Sequence, residues 1–248
     1  MVVKRKISGI IIIGDEILSG KTLDTNSNYI SKELGLRGID VKEISIINDD
    51  KKIIINKTLE FSGKFDYVFT TGGIGPTHDD LTTEAISTAF DKVLELNEEA
   101  HSYLKKHYTQ DELTKARLKM AYLPKGSKLI LNPVSLAPGF YIKNVYVFPG
   151  VPEILKAMFF EFIDKFSDKD IMPQINISTL LSEGVIADYI KSIQQENPKV
   201  SIGSYPYFKS NLFGVSLILK SQDKDLLQNV GEQIFYFLDK KKGKPKYF

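Results

Sequence analysis

Apolar and polar residues alternate in blocks through the first two thirds of the chain, and the blocks predict strands and helices in turn. Residues 7–13 form a largely apolar, isoleucine-rich run, which is typical of a strand buried on both faces. Residues 26–36 have apolar side chains near helical spacing, and Gly38 is the stop signal. Further strands are predicted at 41–47 and 67–71, and further helices at 51–61 and 79–90. This order predicts a parallel sheet with helices on both faces.

The middle of the chain has shorter elements. Residues 97–120 carry helical signals, with glutamates where the first turn would favour them. The dipeptide Lys143-Asn144 lies between two short apolar runs and predicts a tight hairpin. The remaining elements are predicted as strands at 128–131, 139–142 and 145–148 and a helix at 152–162.

A charged run at residues 168–170 accompanies a shift in composition, and we predict a domain boundary within 165–174. The pattern that follows it, a strand, a helix, two strands and a helix, is typical of a small ferredoxin-like unit. These elements are predicted as strands at 175–181, 200–204 and 212–219 and helices at 185–196 and 224–238. The chain is therefore expected to be an α/β protein, with a three-layer αβα domain over 1–166. We interpret the smaller α+β unit over 167–248 as a packing or dimerisation module.

Composition narrows the class of protein. The chain has 248 residues, 42% hydrophobic and 26% charged, with a net charge of +2, which is ordinary for a globular protein. We expect no nucleic-acid partner, because its one basic cluster, residues 240–246, is interpreted as a solvated terminus. The first apolar run is far shorter than the ~20 residues of a membrane span, so no membrane partner and a cytoplasmic location are expected. The absence of cysteine excludes thiol catalysis, disulfides and cysteine-ligated zinc.

The segment from Thr70 to Asp80 is the most informative stretch for function, and it follows an apolar strand. In a parallel α/β sheet such a turn lies at the carboxyl edge, where ligands bind. Its glycines let a ligand approach the backbone, and the following helix would add unpaired N–H groups and a positive dipole end. The segment therefore predicts a phosphate or pyrophosphate seat, although it matches neither common phosphate-loop pattern. The candidate ligand-binding residues here are Thr71, Gly72, Gly73, Gly75, Pro76 and Thr77.

Two aspartates at the end of this segment would repel a bound phosphate unless a cation lay between them. Because hard oxygen ligands suit ions such as Mg²⁺ and Mn²⁺, we predict a divalent metal (Mg²⁺, Mn²⁺ or Co²⁺) at Asp79 and Asp80. His78 is a further candidate metal ligand or proton carrier. The alternatives are a helix N-cap for Asp79, worth ~1 kcal/mol, and an ordinary polar loop residue for His78.

Two more clusters end strands at the same predicted edge. Gly14, Asp15 and Glu16 follow the first strand, and Asn26 begins the next helix, where a plain helix cap nearby is an equally open interpretation. Asp49 lies in an acidic turn that closes the second strand, and an ordinary solvated turn is its alternative. We predict that these residues face a ligand, because their strands end at one edge of the sheet.

Two proline–glycine loops flank the predicted hairpin strands. They contain Pro138 with Gly139 and Pro149 with Gly150. Such loops form either one wall of a ligand pocket or rigid turns only, and the sequence leaves both interpretations open.

These motifs resemble the molybdopterin-binding (MoaB/MogA-type) domain family. They are most similar to its competence/damage-inducible (CinA-type) branch and to the matching domain fused to FAD synthase in eukaryotes. The motifs that carry the resemblance are Gly14-Asp15-Glu16-Ile17-Leu18, Asp24-Thr25-Asn26, the block from Thr71 to Asp80, Ala137-Pro138-Gly139-Phe140 and Pro149-Gly150-Val151-Pro152. They extend from about residue 7 to residue 160. Ser135 and the triplet at 153–155 depart from the common CinA-type pattern and look closer to the FAD-synthase-associated branch.

The resemblance implies a pocket for a nucleotide or pterin phosphate, with molybdopterin as one candidate ligand. Two aspartates that matter for adenylyl chemistry in MogA-type enzymes correspond to Asp49 and Asp80, which become the candidate catalytic residues. In the CinA-like branch the implied activity is metal-dependent hydrolysis of a dinucleotide pyrophosphate such as ADP-ribose or FAD. Non-catalytic binding and a step of molybdenum cofactor assembly are the alternatives. A homo-oligomer is also implied, whereas nicotinamide-nucleotide deamidation and FAD synthesis are not expected from these 248 residues.

Overall fold

The structure is a computed structural model that describes residues 5–166, 172–209 and 212–248. The chain divides into two compact units, Met1–Asp170 and Ile171–Phe248, and each is described by itself. The charged run at 168–170, and with it the centre of the predicted boundary, lies outside the described residues.

The first unit is built around one mixed sheet. Its strands are β1 (Ile7–Ile13), β2 (Asp40–Ile47), β3 (Tyr67–Thr71), β4 (Leu94–Leu96), β5 (Tyr122–Pro124), β6 (Lys128–Ile130), β7 (Gly139–Ile142) and β8 (Val145–Phe148). Its helices are α1 (Asp15–Leu18), α2 (Asn26–Leu36), α3 (Lys51–Lys64), α4 (Thr82–Ala89), α5 (Glu98–His107), α6 (Lys115–Leu118) and α7 (Pro152–Phe162), with 3-10 turns at Lys119–Ala121 and Ile163–Phe166. Six strands form the sheet in the order β2-β1-β3-β8-β7-β6.

The strands β2, β1, β3 and β8 are parallel neighbours, whereas β7 runs antiparallel to both β8 and β6. The predicted hairpin causes this change of direction, because Ile142 pairs with Val145 and Lys143 adopts a positive φ of 53° in the turn between them. The prediction of a parallel sheet therefore holds for β1, β2, β3 and β8, whereas β7 runs in the opposite direction. The separate antiparallel pair of β4 and β5 was not predicted.

Both faces of the sheet are covered, as the isoleucine-rich first strand indicated. Ile11 and Ile13 pack on one face with the helices α3, α4 and α5, and Ile10 and Ile12 pack on the other face with α2 and α7. Complete burial of side chains of this size contributes ~1.5–3 kcal/mol each. The expected three-layer αβα arrangement is confirmed.

Residues 97–120 do not form one helix. The helix α5 ends at His107, and Glu112 then binds both the backbone N–H and the hydroxyl of Thr109, at 3.0 and 2.8 Å. Thr114 caps the short α6 through the backbone N–H of Arg117 at 3.3 Å. The helical signals of this stretch therefore belong to two helices and a 3-10 turn, because polar side chains between the helices bind the backbone locally, which helical spacing alone does not reveal.

The second unit consists of one antiparallel sheet and two helices. Its elements are β9 (Gln174–Thr179), α8 (Glu183–Glu196), β10 (Ser201–Lys209), β11 (Leu212–Lys220), α9 (Lys224–Lys240) and β12 (Lys246–Tyr247). The strand order is β10-β11-β9-β12, and Ile177, Leu217 and Ile234 are among the fully buried side chains of its core. The element order agrees with the prediction, although β10 is longer than expected and β12 was missed. In the described parts of the chain, no helix has the length and apolar character needed to cross a membrane.

Candidate functional site

A pocket of about 390 Å³ opens where the parallel strands end. Its walls come from four loops: Gly14 and Glu16 after β1, Asp49 after β2, Gly72–Gly75 with Asp79 and Asp80 after β3, and Pro149–Val151 after β8. The topology explains this convergence, because parallel neighbouring strands place their carboxyl ends at one edge of the sheet. The structure therefore brings several predicted clusters into one cavity.

Some predicted site residues lie outside the lining of this pocket. They are Asp15, Asn26, Thr71, Pro76, Thr77, His78, Pro138 and Gly139. Asn26 and Thr71 instead line an adjoining cavity of about 40 Å³, which shares Glu16 and Gly150 with the larger pocket.

The backbone of the loop after β3 forms one side of the pocket. Gly72 and Gly73 have positive φ angles of 106° and 68°, which side-chain-bearing residues rarely adopt. A Cβ atom at Gly72 would lie 2.0 Å from the carbonyl oxygen of Ile13. Among the described residues, the N–H groups of Gly73, Ile74 and Gly75 have no acceptor. Consecutive amides of this kind form a concave site for anions, so the predicted phosphate seat has a physical basis here.

The helix after this loop begins at Thr82 and not at Asp79, and Leu81 occupies its N-cap position. The alternative interpretation of Asp79 as the N-cap was therefore wrong. The donors of Thr82 are already used within the fold. Its backbone N–H donates to the carbonyl oxygen of Gly73, and its hydroxyl donates to the carbonyl oxygen of Gly72, both at 2.9 Å. The expected contribution of the helix N-terminus to the phosphate seat is reduced accordingly.

Residues 77–80 form a turn closed by a side chain. The Asp80 carboxylate accepts the backbone N–H of Thr77 at 2.8 Å and also its hydroxyl hydrogen. Hydrogen bonding from Thr77 is the largest cause of a lowered pKa at Asp79, whose carboxylate lines the pocket. The His78 side chain is 99% exposed and lies outside the lining, so the geometry does not support the prediction that it is a metal ligand.

The loops after β1 and β2 are joined through a carboxylate. Asp49 accepts the backbone N–H of Asp15 at 2.9 Å, and the Asn48 amide donates to the Asp15 carboxylate at 3.1 Å. Burial raises the pKa of Asp49, and the neighbouring charges of Asp15, Glu16 and Asp79 raise it further. The alternative interpretation of Asp49 as part of an ordinary solvated turn is therefore insufficient. Its carboxylate lines the pocket and holds a proton more tightly than usual.

Four carboxylates line the pocket, and no lysine or arginine does so among the described residues. A bare phosphate would be repelled by Glu16, Asp49, Asp79 and Asp80. Within the described ranges, no three His, Cys, Asp or Glu side chains are grouped closely enough to hold a metal by themselves. This donor set fits Mg²⁺-like ions, which commonly use one or two carboxylates together with phosphate oxygens of the substrate.

Asn26 and Thr71 support the pocket from behind. The Asn26 amide donates to the Thr71 hydroxyl at 2.9 Å and to the Gly150 carbonyl at 2.8 Å, and Thr71 donates to Pro149 at 2.9 Å. Asn26 is 6% exposed and Thr71 is fully buried, so both residues stand behind the ligand surface. The N-cap of this helix is Thr25, and the Asp24 carboxylate before it accepts the backbone N–H groups of Asn26 and Ser27 at 2.9 and 3.1 Å.

Pro138 and Gly139 do not reach the pocket. Both are buried, and a Cβ atom at Gly139 would lie 2.3 Å from the carbonyl oxygen of Val147. The close packing of β7 on β8 accounts for this glycine, so the structure contradicts the interpretation of this loop as a pocket wall.

Two further residues, Lys119 and Thr82, were not among the predicted site residues. The Lys119 ammonium donates to the carbonyl oxygens of Thr77 and Asp80 at 3.1 and 2.8 Å, across about forty residues of chain. No local pattern signals such a contact. The contacts of Thr82 could have been predicted from the sequence, since a threonine near the start of a helix commonly binds backbone groups.

Comparison with known proteins gives two adjacent matches along the chain. The family model described as "probable molybdopterin binding domain" matches residues 9–169. The model described as "FAD synthase, middle domain" matches residues 173–245. The two matches together cover most of both units.

Individual relatives match different shares of the chain. A protein of Archaeoglobus fulgidus is 36% identical over 197 residues, which cover 79% of this chain and 84% of that protein. The "Probable FAD synthase" of Caenorhabditis elegans is 31% identical over 92% of this chain, which spans about half (49%) of that relative. The crystal structure of CinA from Thermoplasma acidophilum, whose function is given as unknown, superposes with a TM-score of 0.63 at 34% identity. That match covers 66% of this chain and all of the other one.

Proposed function

Because this chain belongs to the molybdopterin-binding domain family and carries a CinA-like domain, we propose that its pocket hydrolyses a nucleotide pyrophosphate. The candidate substrates are ADP-ribose and FAD, and a divalent metal ion would bind together with the substrate. One observation carries the proposal: Gly73, Ile74 and Gly75, whose N–H groups have no acceptor in the described parts of the chain, line the same cavity as four acidic residues. Amides without acceptors attract phosphate, and carboxylates tolerate phosphate only when a cation lies between them.

The roles of the residues follow from their positions. The amides of the loop after β3 would bind the nonbridging oxygens of the pyrophosphate and hold it in place. Asp79 and Asp80 would hold the metal, which when bound would polarise a phosphoryl oxygen and activate water. Asp79 is suited to this role because its lowered pKa keeps it ionised.

Asp49 would act as the proton acceptor. A carboxylate with a raised pKa removes a proton from water more effectively than an ordinary one. The water oxygen would bond to phosphorus, its proton would pass to Asp49, and the bond from phosphorus to the bridging oxygen would break. The products would be two phosphate monoesters, one of them a nucleoside monophosphate.

Turnover tests this proposal directly. The purified protein would be incubated with ADP-ribose, FAD or NAD⁺ and with Mg²⁺, Mn²⁺ or Co²⁺, and product release would be compared with a chelator control. We expect metal-dependent cleavage, and we expect Asp49→Asn and Asp80→Asn each to lower kcat at least about a hundredfold. Asp91→Asn is the matched control, since this exposed aspartate lies outside the pocket. Unchanged turnover in Asp49→Asn and Asp80→Asn would refute their catalytic roles.

A second candidate function is binding of molybdopterin or a nucleotide without turnover. The description of the matched family favours it. A pure binding protein would gain thermal stability with its ligand and release no product with any metal. An adenylyl or molybdate-insertion step is a narrower form of this candidate and would require molybdopterin as the preferred ligand. Self-association stays a prediction, which light scattering would test.

A further inference from the structure

Residues 97–121 connect β4 to β5, and we call them the clamp segment. Its two ends are tied together by a hydrogen bond from the N–H of Asn97 to the carbonyl oxygen of Ala121, at 2.9 Å. The Asn97 side chain also caps α5 by accepting the N–H of Ala100 at 2.9 Å. Ala100, Leu104 and Ala121 are fully buried in the core. The segment therefore has a fixed base from which a side chain can reach a neighbouring loop.

Arg117 and Lys119, near the end of the clamp segment, donate hydrogen bonds to different parts of the chain. Arg117 donates to the carbonyl oxygen of Glu112 at 2.7 Å, and its guanidinium lies 4.3 Å from the ring centre of Tyr108. It is thus held within the segment. The Lys119 ammonium instead donates to the carbonyl oxygens of Thr77 and Asp80, both in the loop after β3.

The turn at residues 77–80 needs an external tether. Residues 77–79 are exposed, and the hydrogen bonds of the turn run between Thr77 and Asp80 themselves. An exposed turn with so few outside contacts opens easily on its own. The two bonds from Lys119 join this turn to the buried base of the clamp segment.

We propose that Lys119 is a positioning residue, which fixes the turn at 77–80 so that the carboxylates of Asp79 and Asp80 face the pocket. The consequence for catalysis rests on the proposed function, whereas the ordering of the turn does not. A pocket ordered in advance spares the substrate the cost of ordering the turn when it binds.

Hydrogen exchange without substrate or metal tests the ordering. In Lys119→Met we expect the amide protons of Thr77 and Asp80 to exchange about tenfold faster, because removing the bonds to the charged group frees the turn. Lys119→Arg retains the charge and the donors and should restore most of the protection. Lys125→Met is the matched control, since Lys125 pairs with Glu95 at 3.4 Å, outside this turn. Unchanged exchange in Lys119→Met would overturn the proposal, even if the protein proves to hydrolyse nothing.

Kinetics separate positioning from a general loss of structure. We expect Lys119→Met to raise KM for the cleaved pyrophosphate about tenfold, because the substrate must then order the turn, and to change kcat by less than about threefold. Lys119→Arg should return KM most of the way towards the wild-type value. Partial unfolding would instead lower kcat by reducing the active fraction and leave KM unchanged. An unchanged KM together with faster exchange would limit Lys119 to a structural role and refute positioning.

Discussion

The pocket has two unlike walls. The glycine wall, Gly72–Gly75, is made of backbone, and its first two residues adopt positive φ angles. The carboxylate wall, made of Glu16, Asp49, Asp79 and Asp80, consists of side chains, of which those of Glu16 and Asp79 are exposed and those of Asp49 and Asp80 are half-buried. One wall depends on the absence of side chains, and the other depends on their charge.

This difference separates the requirements of folding from those of chemistry. The space beside Gly72 is filled by the carbonyl oxygen of Ile13, so the residue type is dictated by the packing of β3 on β1. Nothing in the packing dictates a carboxylate at Asp79, which is exposed. Substitutions in the glycine wall should therefore act first on stability, and substitutions in the carboxylate wall should act first on the ligand.

The largest expected effect on stability comes from Gly72→Ala. A Cβ atom would lie 2.0 Å from the carbonyl oxygen of Ile13, and φ would remain at 106° unless the loop moved. Strain and overpacking together should lower the free energy of unfolding by about 3 kcal/mol or more. Urea unfolding followed by circular dichroism would measure the loss, since the chain has no tryptophan for fluorescence.

The control for that variant is Gly63→Ala within α3. No heavy atom lies within 4 Å of the added Cβ atom, so the substitution should raise stability by about 0.5–1 kcal/mol. Equal losses in the two variants would contradict the view that local space makes glycine necessary in the glycine wall.

An intermediate effect is expected for Asn26→Ala, which removes the hydrogen bonds that hold Thr71, next to the glycine wall, and Gly150, which also lines the pocket. The carbonyl oxygen of Gly150 and the hydroxyl of Thr71 would lose a buried donor, at a cost of about 1–3 kcal/mol. Ligand affinity, measured by calorimetry with ADP-ribose and Mn²⁺, should fall as well, because the Gly150 loop lines the pocket.

Asn144→Ala is the matched control for this variant. Asn144 also donates two hydrogen bonds to carbonyl oxygens, those of Ser62 and Phe65 at 3.0 and 2.8 Å, but it lies outside the pocket. We expect a similar loss of stability with unchanged ligand affinity. A loss of affinity in both variants would mean that general destabilisation, and not the support of the walls, controls binding.

The fold was predictable wherever one strong periodicity governed a segment. The apolar run at Ile7–Ile13 predicted a strand buried on both faces, and the Lys143-Asn144 turn predicted the hairpin. The predictions failed where side chains bind the backbone locally. Thr109 and Glu112 interrupt the helical stretch, and the start of α4 moves to Thr82, three residues after the predicted one.

The candidate site was predictable in its location because the ends of parallel strands converge. The sequence could not distinguish residues that face the cavity from residues that support it. Asn26 and Gly139 satisfied the same motif criteria as Gly14, yet one is a buried support and the other permits strand packing. Lys119 could not be found at all, since its contacts join segments about forty residues apart.

The smallest effect on stability is expected for Asp49→Asn in the carboxylate wall, and it should depend on pH. The pKa of Asp49 is raised in the folded protein, first by burial and then by its acidic neighbours, so the folded state binds this proton more tightly than the unfolded chain does. The resulting stability is fully present below the ordinary aspartate pKa of about 3.9 and is lost as pH rises through the raised value.

Asp49→Asn retains an oxygen for the N–H of Asp15 but carries no charge. In the absence of divalent metal, the melting temperature of the variant should therefore increase relative to that of the wild type as pH rises from about 4 to 7. If the difference in melting temperature between the variant and the wild type stays constant over this range, the pKa of Asp49 is not raised in the folded protein. That result would also remove the physical reason for its proposed role as a proton acceptor.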